Sequence, residues 1–268
     1  MRRHQPPLPD PDQNPIQPLV LLHGVGLDRT MWEPVTALLA DRFTVVAIDL
    51  PGHGARPPVR GDVTLAELAA GVAEHVPAGS HLVGFSLGAL VAQQLALHRP
   101  ELTRTLTSVS SVCRRTPDER AAVRARLRAA EKDFEASAAA SIERWYAGTT
   151  VPDEVIDRTR ATLRANDVDS FLGCYRVFAN ADAELGPRLG DITVPALAVT
   201  GENDPGSTPE MTHRLAAALP SCRAVIVPGA RHMLPVERPE AFAETLTTFI
   251  AQSAQPIDES APGDTAHV

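Results

Sequence analysis

His81-Leu-Val-Gly-Phe-Ser-Leu-Gly-Ala-Leu90 joins one apolar run to another and sets Gly-Phe-Ser-Leu-Gly at the junction. The run His81–Phe85 is short and continuous, which suits a strand buried on both faces. The run Leu87–His98 has the length and apolar content of a helix. A serine pinned at a strand-to-helix turn is forced into a tight backbone geometry, and Gly84 and Gly88 relieve the crowding on either side. Such a turn lifts the hydroxyl clear of the sheet, while the helix N-terminus offers unpaired N–H groups and a positive dipole end. Ser86 is therefore the candidate nucleophile.

Working outward, short apolar runs recur at Leu19–His23, Thr44–Ile48, Leu106–Val112, Ala196–Thr200 and Ala224–Val227, each bounded by Gly, Pro or Asp. Helical patterns fall between most of them, at Met31–Leu39, Leu65–Glu74, Pro209–Ala218 and Pro239–Ala251. Strand alternating with helix predicts an α/β fold with a mostly parallel, doubly wound sheet. One stretch breaks the rhythm. From about Arg114 to Leu189 the sequence is Ala- and Arg-rich and helical, with breaks near Gly148–Pro152 and Ala165–Asp167. The expected organisation is a proline-rich tail at 1–18, a core at 19–113 and 190–251, a helical insertion at 114–189 and a C-terminal tail at 252–268.

A serine hydroxyl is a poor nucleophile without a base in contact and a carboxylate to hold that base's tautomer. Later strand ends supply both types in the order that a Ser, acid, His arrangement requires. Gly-Glu-Asn-Asp-Pro follows Val194–Thr200 and gives Asp204, with Glu202 as the rival acid; Pro-Gly-Ala-Arg-His-Met follows Ala224–Val227 and gives His232. A tetrahedral oxyanion needs two preorganised N–H donors. The Leu87 N–H, just after the serine, is one. The Val25 N–H in His23-Gly-Val-Gly is the candidate for the other, with His23 itself read as a structural residue beneath the site. Asp49-Leu-Pro-Gly-His-Gly is read as a turn shaping the pocket floor, so Asp49 and His53 receive no chemical role.

Composition narrows the partners. The formal charge is −8, from 25 basic and 33 acidic residues, with no basic cluster of the kind nucleic acid requires. Apolar residues make up 44% and charged residues 22%, which suits a folded globular chain. Cys113, Cys174 and Cys222 are too scattered for a disulfide framework or a metal site and are read as small buried hydrophobes. No stretch approaches the roughly 18 apolar residues of a membrane span, and the first residues lack the apolar run of a secretory signal. The expectation is a cytoplasmic protein with a small-molecule substrate, no cofactor and no metal.

Taken together, HGVG at 23–26, DLPGHG at 49–54, GFSLG at 84–88, GENDP at 201–205 and GARHM at 229–233 resemble the α/β-hydrolase superfamily over about Leu19 to Ile250. The insertion and Glu143-Arg-Trp-Tyr146 are most similar to the 3-oxoadipate enol-lactonase and carboxylesterase group, near enzymes acting on acylaminomethylene succinates. The resemblance implies a small, often anionic substrate held between the core and a helical cap at 114–189, with Arg144 and Trp145 as candidate contacts. It implies cleavage of a carboxylic ester or lactone, with enamide, amide or C–C bond hydrolysis on the same triad as alternatives. A receptor that binds without turnover is the reading from another class. The family normally opens with an antiparallel hairpin, for which only the proline-rich lead-in stands here.

Overall fold

The computed structural model describes residues 17–254. The proline-rich lead-in up to residue 16, the question of a hairpin there, and the tail from 255 lie outside the described residues. The chain runs β1 (Gln17–Leu22), α1 (Glu33–Leu39), β2 (Phe43–Ile48), α2 (Leu65–Ala73), β3 (Ser80–Phe85), α3 (Leu87–His98) and β4 (Thr103–Val109). Four helices follow: α4 (Pro117–Lys132), α5 (Phe134–Tyr146), α6 (Asp153–Arg164) and α7 (Val168–Leu185). The sheet resumes with β5 (Ala196–Gly201), α8 (Pro209–Ala218), β6 (Cys222–Val227), α9 (Leu234–Glu237) and α10 (Pro239–Ser253).

All six strands are parallel, in the order β2-β1-β3-β4-β5-β6. The chain winds one way from β1 to β2, then crosses back over β1 to β3 and continues in the other direction. That reversal lies between β1 and β3, where loops leaving the two strands part to opposite sides and open a crevice at the carboxyl ends. Every residue of β3 and β5 is buried, as continuous apolar runs covered on both faces require. Helix α3 lies nearly enclosed, with Leu87, Leu90, Val91 and Leu95 all in the core.

The expected elements hold, with their bounds adjusted. Pro18 belongs to β1 rather than to a tail; it pairs only toward β2, since the β3 ladder begins at Leu19, so its missing N–H breaks no central bond. The helix expected from Met31 begins at Glu33 after a 3-10 turn at Arg29–Trp32, because Pro34 fits only the first turn. The strand expected to reach Val112 stops at Val109, where Ser110 takes a positive φ of 46° and turns the chain. Helix α10 extends through Ser253, past the expected end at Ala251.

Within the insertion both expected breaks occur, and a third separates α4 from α5 at Asp133. The Asp133 side chain accepts from the Ala136 N–H and starts the new helix as an N-cap. Thr116 and Asp167 cap α4 and α7 in the same way. A buried ion cluster ties the start of α4 to α7 and so closes the insertion on itself. Arg115 and Asp182, whose side chains are 1% and 0% exposed, pair at 2.7 Å, and Arg120 reaches the same carboxylate at 3.2 Å. Asn166 ties the insertion to the core, donating to the Gly26 carbonyl at 2.8 Å. No helix among the described residues is long and apolar enough to cross a membrane.

Candidate active site

Ser86 occupies the β3–α3 turn with φ 54° and ψ −112°, a conformation few side-chain-bearing residues adopt. Strain of this kind costs on the order of 1–3 kcal/mol and persists only where the surroundings over-determine it. Here they do. The Ser86 N–H is held by the Val109 carbonyl of β4 at 2.9 Å, and its own carbonyl accepts from the Ala89 N–H at 3.1 Å. A methyl group on Gly84 would sit 2.1 Å from the Gly88 carbonyl oxygen, and one on Gly88 would sit 2.3 Å from that of Leu22. Both glycines are therefore steric requirements of the turn.

The second oxyanion candidate is adjacent because β1 and β3 pair directly, with Leu22 opposite Gly84. Beyond β1 the chain makes a tight turn closed by the Leu27 N–H and the Gly24 carbonyl at 3.2 Å. His23 shapes this loop from beneath. Its ring is fully buried, with Nδ1 bonded to the Gly24 carbonyl at 2.8 Å and Nε2 accepting from the Leu50 N–H at 2.9 Å. Among the described residues, neither the Val25 nor the Leu87 N–H is used in a backbone or side-chain hydrogen bond.

The acid and base stand past β5 and β6. The Asp204 carboxylate is buried and receives His232 Nδ1–H at 2.7 Å and the Gly206 and Ser207 N–H groups at 2.9 Å each. Burial opposes its ionisation most strongly, but the His232 charge and these hydrogen bonds prevail and hold the carboxyl below the usual carboxylate range. With Nδ1 committed to Asp204, the lone pair of His232 falls on Nε2. Trp145 stacks over the His232 ring at 5.9 Å, Phe85 lies 5.1 Å away, and the Ser110 hydroxyl holds the His232 carbonyl at 3.0 Å. Glu202, the rival acid, is exposed and spends its carboxylate on the Gly229 N–H. Asp49 and His53 stay in the floor turn, where Asp49 accepts the Arg29 and Ala55 N–H groups.

Ser86, Asp204, His232 and Val25 line one cavity. Among the described residues no hydrogen bond joins the Ser86 hydroxyl to His232, though both face this space. The insertion supplies the rest of the wall. Arg144 and Trp145, both expected from sequence, are present, and so are Arg126, Phe171, Tyr175 and Phe178, which were not. Arg126 is one of four arginines on α4 at 120, 124, 126 and 128, and nothing in their spacing marks the one that turns inward. Among the described residues no group of three or more His, Cys, Asp or Glu side chains could hold a metal ion. All three cysteines are free thiols, with Cys113 and Cys174 buried.

Comparison with known proteins places this geometry. The chain is 28% identical over 246 residues to (E)-2-((N-methylformamido)methylene)succinate hydrolase of Acinetobacter baylyi, covering 89% of this chain and 92% of that one. It is 32% identical over 248 residues to pimeloyl-[acyl-carrier protein] methyl ester esterase of Yersinia enterocolitica, covering 88% and 93%. The crystal structure of the enol-lactonase from Burkholderia xenovorans superposes with a TM-score of 0.79 at 26% identity, covering 90% and 93%. These relatives are hydrolases that differ in the bond named for each. A model of the alpha/beta hydrolase family matches residues 19–245, a span that holds every loop meeting at the cavity, and the chain belongs to that family.

Proposed function

We propose that the chain is a serine hydrolase that cleaves a carboxylic ester or enol-lactone of a small molecule through an acyl-enzyme. One observation carries the reading: a serine in a strained strand-to-helix turn shares a cavity with a histidine whose far nitrogen is fixed on a buried carboxylate. In this account His232 Nε2 takes the Ser86 proton as the hydroxyl attacks the carbonyl, and Asp204 stabilises the imidazolium. The serine–histidine hydrogen bond closes when substrate binds, as catalytic pairs commonly do. The Leu87 and Val25 N–H groups hold the oxyanion, and water, activated by the same histidine, clears the acyl group.

A second reading, hydrolysis of an enamide dicarboxylate, draws on the succinate-acting relative and on the Arg144 guanidinium at the cavity wall. The same residues serve either bond, with Arg144 and Trp145 as substrate contacts. Hydrolysis in ¹⁸O-water tests the proposal. An acyl-enzyme cleared by water puts solvent oxygen into the product carboxylate and leaves a transient mass increment on Ser86. Product formed without ¹⁸O in a carboxylate points to a lyase. Binding without turnover points to a receptor.

A further inference from the structure

Arg126 of α4 and Arg144 of α5 line the cavity beside Ser86, and with Ser141 they also line a second groove between the two helices. The other residues of that groove include Ala129, Lys132 and Ala136, all exposed, so it opens to the surface. Residues common to both spaces mark the boundary, here the neck, at which the two adjoin. The charges at this neck are unbalanced. Arg115, Arg120, Arg164 and Arg176 nearby each pair with a carboxylate. Among the described residues neither Arg126 nor Arg144 has one within ion-pair distance. Arg126 makes no hydrogen bond there, and Arg144 makes only a 2.9 Å bond to the Ser141 hydroxyl and a long 3.4 Å bond to the Ala140 carbonyl.

The acids lining the two spaces are already engaged: Asp204 holds His232, and Asp133 caps α5. Burial, with the neighbouring charge of Arg126 adding to it, holds the Arg144 guanidinium below its ordinary range. Two like charges facing one half-buried neck with most of their donors unused favour an anion between them. Ser207, fully buried with a hydroxyl that has no partner, lines the same cavity and leaves a further polar group unmatched there.

We propose that Arg126 is a specificity-determining residue that, with Arg144, holds a carboxylate at the outer end of the substrate in the neck between α4 and α5. The scissile carbonyl then lies inward at Ser86 and the free acid outward, so the preferred substrates are half-esters or half-amides of dicarboxylic acids. This rests on Ser86 being the reacting group.

The test measures glutarate binding by calorimetry to the full chain carrying Ser86→Ala, which needs no turnover. Glutarate should bind, and adding Arg126→Gln should weaken it about 10- to 100-fold, the range for losing a charged hydrogen-bond partner. Arg126→Lys should recover part of the loss, and Arg128→Gln, exposed on the same helix, should have no effect. In the active enzyme, the ratio of kcat/KM for monomethyl glutarate to that for methyl pentanoate should fall by a similar factor in Arg126→Gln, mainly through KM. Absence of glutarate binding, or equal binding with and without Arg126, overturns the proposal. Failure of the hydrolase reading looks different: neither ester is turned over while glutarate still binds through the arginines.

Discussion

The two walls of the cavity are built by different rules. On the core side, Ser86, Asp204 and His232 follow β3, β5 and β6, and backbone constraints leave each little freedom. The Ser86 turn is closed by two carbonyl oxygens that exclude a side chain at Gly84 and Gly88, and the Asp204 carboxylate is met by two N–H groups of its own loop. On the insertion side, Arg126, Arg144 and Trp145 project from helices whose facing is set by packing, among themselves through the Arg115–Asp182 cluster and against the core through the Asn166–Gly26 bond. The candidate catalytic groups thus sit where the backbone dictates position, and the side chains that face the cavity from the insertion sit where only tertiary packing does.

Substitutions on the core wall should act on turnover with little effect on folding. Ser86→Ala should lower kcat by about 10⁶-fold, as for triad residues that act as a unit, with an unchanged circular dichroism spectrum. Asp204→Asn should cost about 10⁴-fold by releasing the His232 tautomer, and Glu202→Gln should stay within a small factor of native. The reverse ranking of these two in steady-state assays would move the acid to Glu202 and break the account of the β5 loop.

The opposite pattern should hold behind the insertion wall. Asp182→Ala leaves the buried Arg115 guanidinium uncompensated and should reduce stability by about 3–5 kcal/mol in denaturant unfolding. A loss below about 1 kcal/mol would mean that the seam between α4 and α7 does not depend on this ion cluster.

Acid exposes the seam beneath the site. Burial is the main cause that pushes His23 down to about 4 and His53 to about 3 from an ordinary 6.5, with the His23 charge adding to the effect at His53. Both rings stay neutral when folded and gain protons on unfolding below 6.5, so unfolding binds protons and stability falls as pH drops from 6.5 toward 4. The shift at His23 alone corresponds to about 3 kcal/mol over that window. Unfolding free energies at pH 7 and 4.5 check this. A flat profile would show that the loop beneath Val25 is less enclosed than its geometry implies.

The same contrast explains what the sequence reveals. Short apolar runs bounded by Gly, Pro or Asp mark the strands because a parallel sheet buries both faces, and the candidate triad follows because its residues stand just past strand ends. Even there the details escape. A proline looks like a breaker until the ladder is known to begin one residue later, at Leu19, and the Ser110 bend carries no Gly or Pro to announce it. In the insertion, Arg144 is legible only through its resemblance to a family motif, and Arg126 is indistinguishable from Arg124 and Arg128 by spacing. Tyr175 and Phe178 read as ordinary apolar positions of α7. Which way a helix faces depends on its neighbours, and no local pattern records them.

The central claim is that Ser86 is an activated nucleophile, and intact-protein mass after incubation with a fluorophosphonate tests it most directly. The account predicts a single adduct on the native chain and none on Ser86→Ala. No adduct on well-folded native protein, or an adduct that persists in Ser86→Ala, would contradict it.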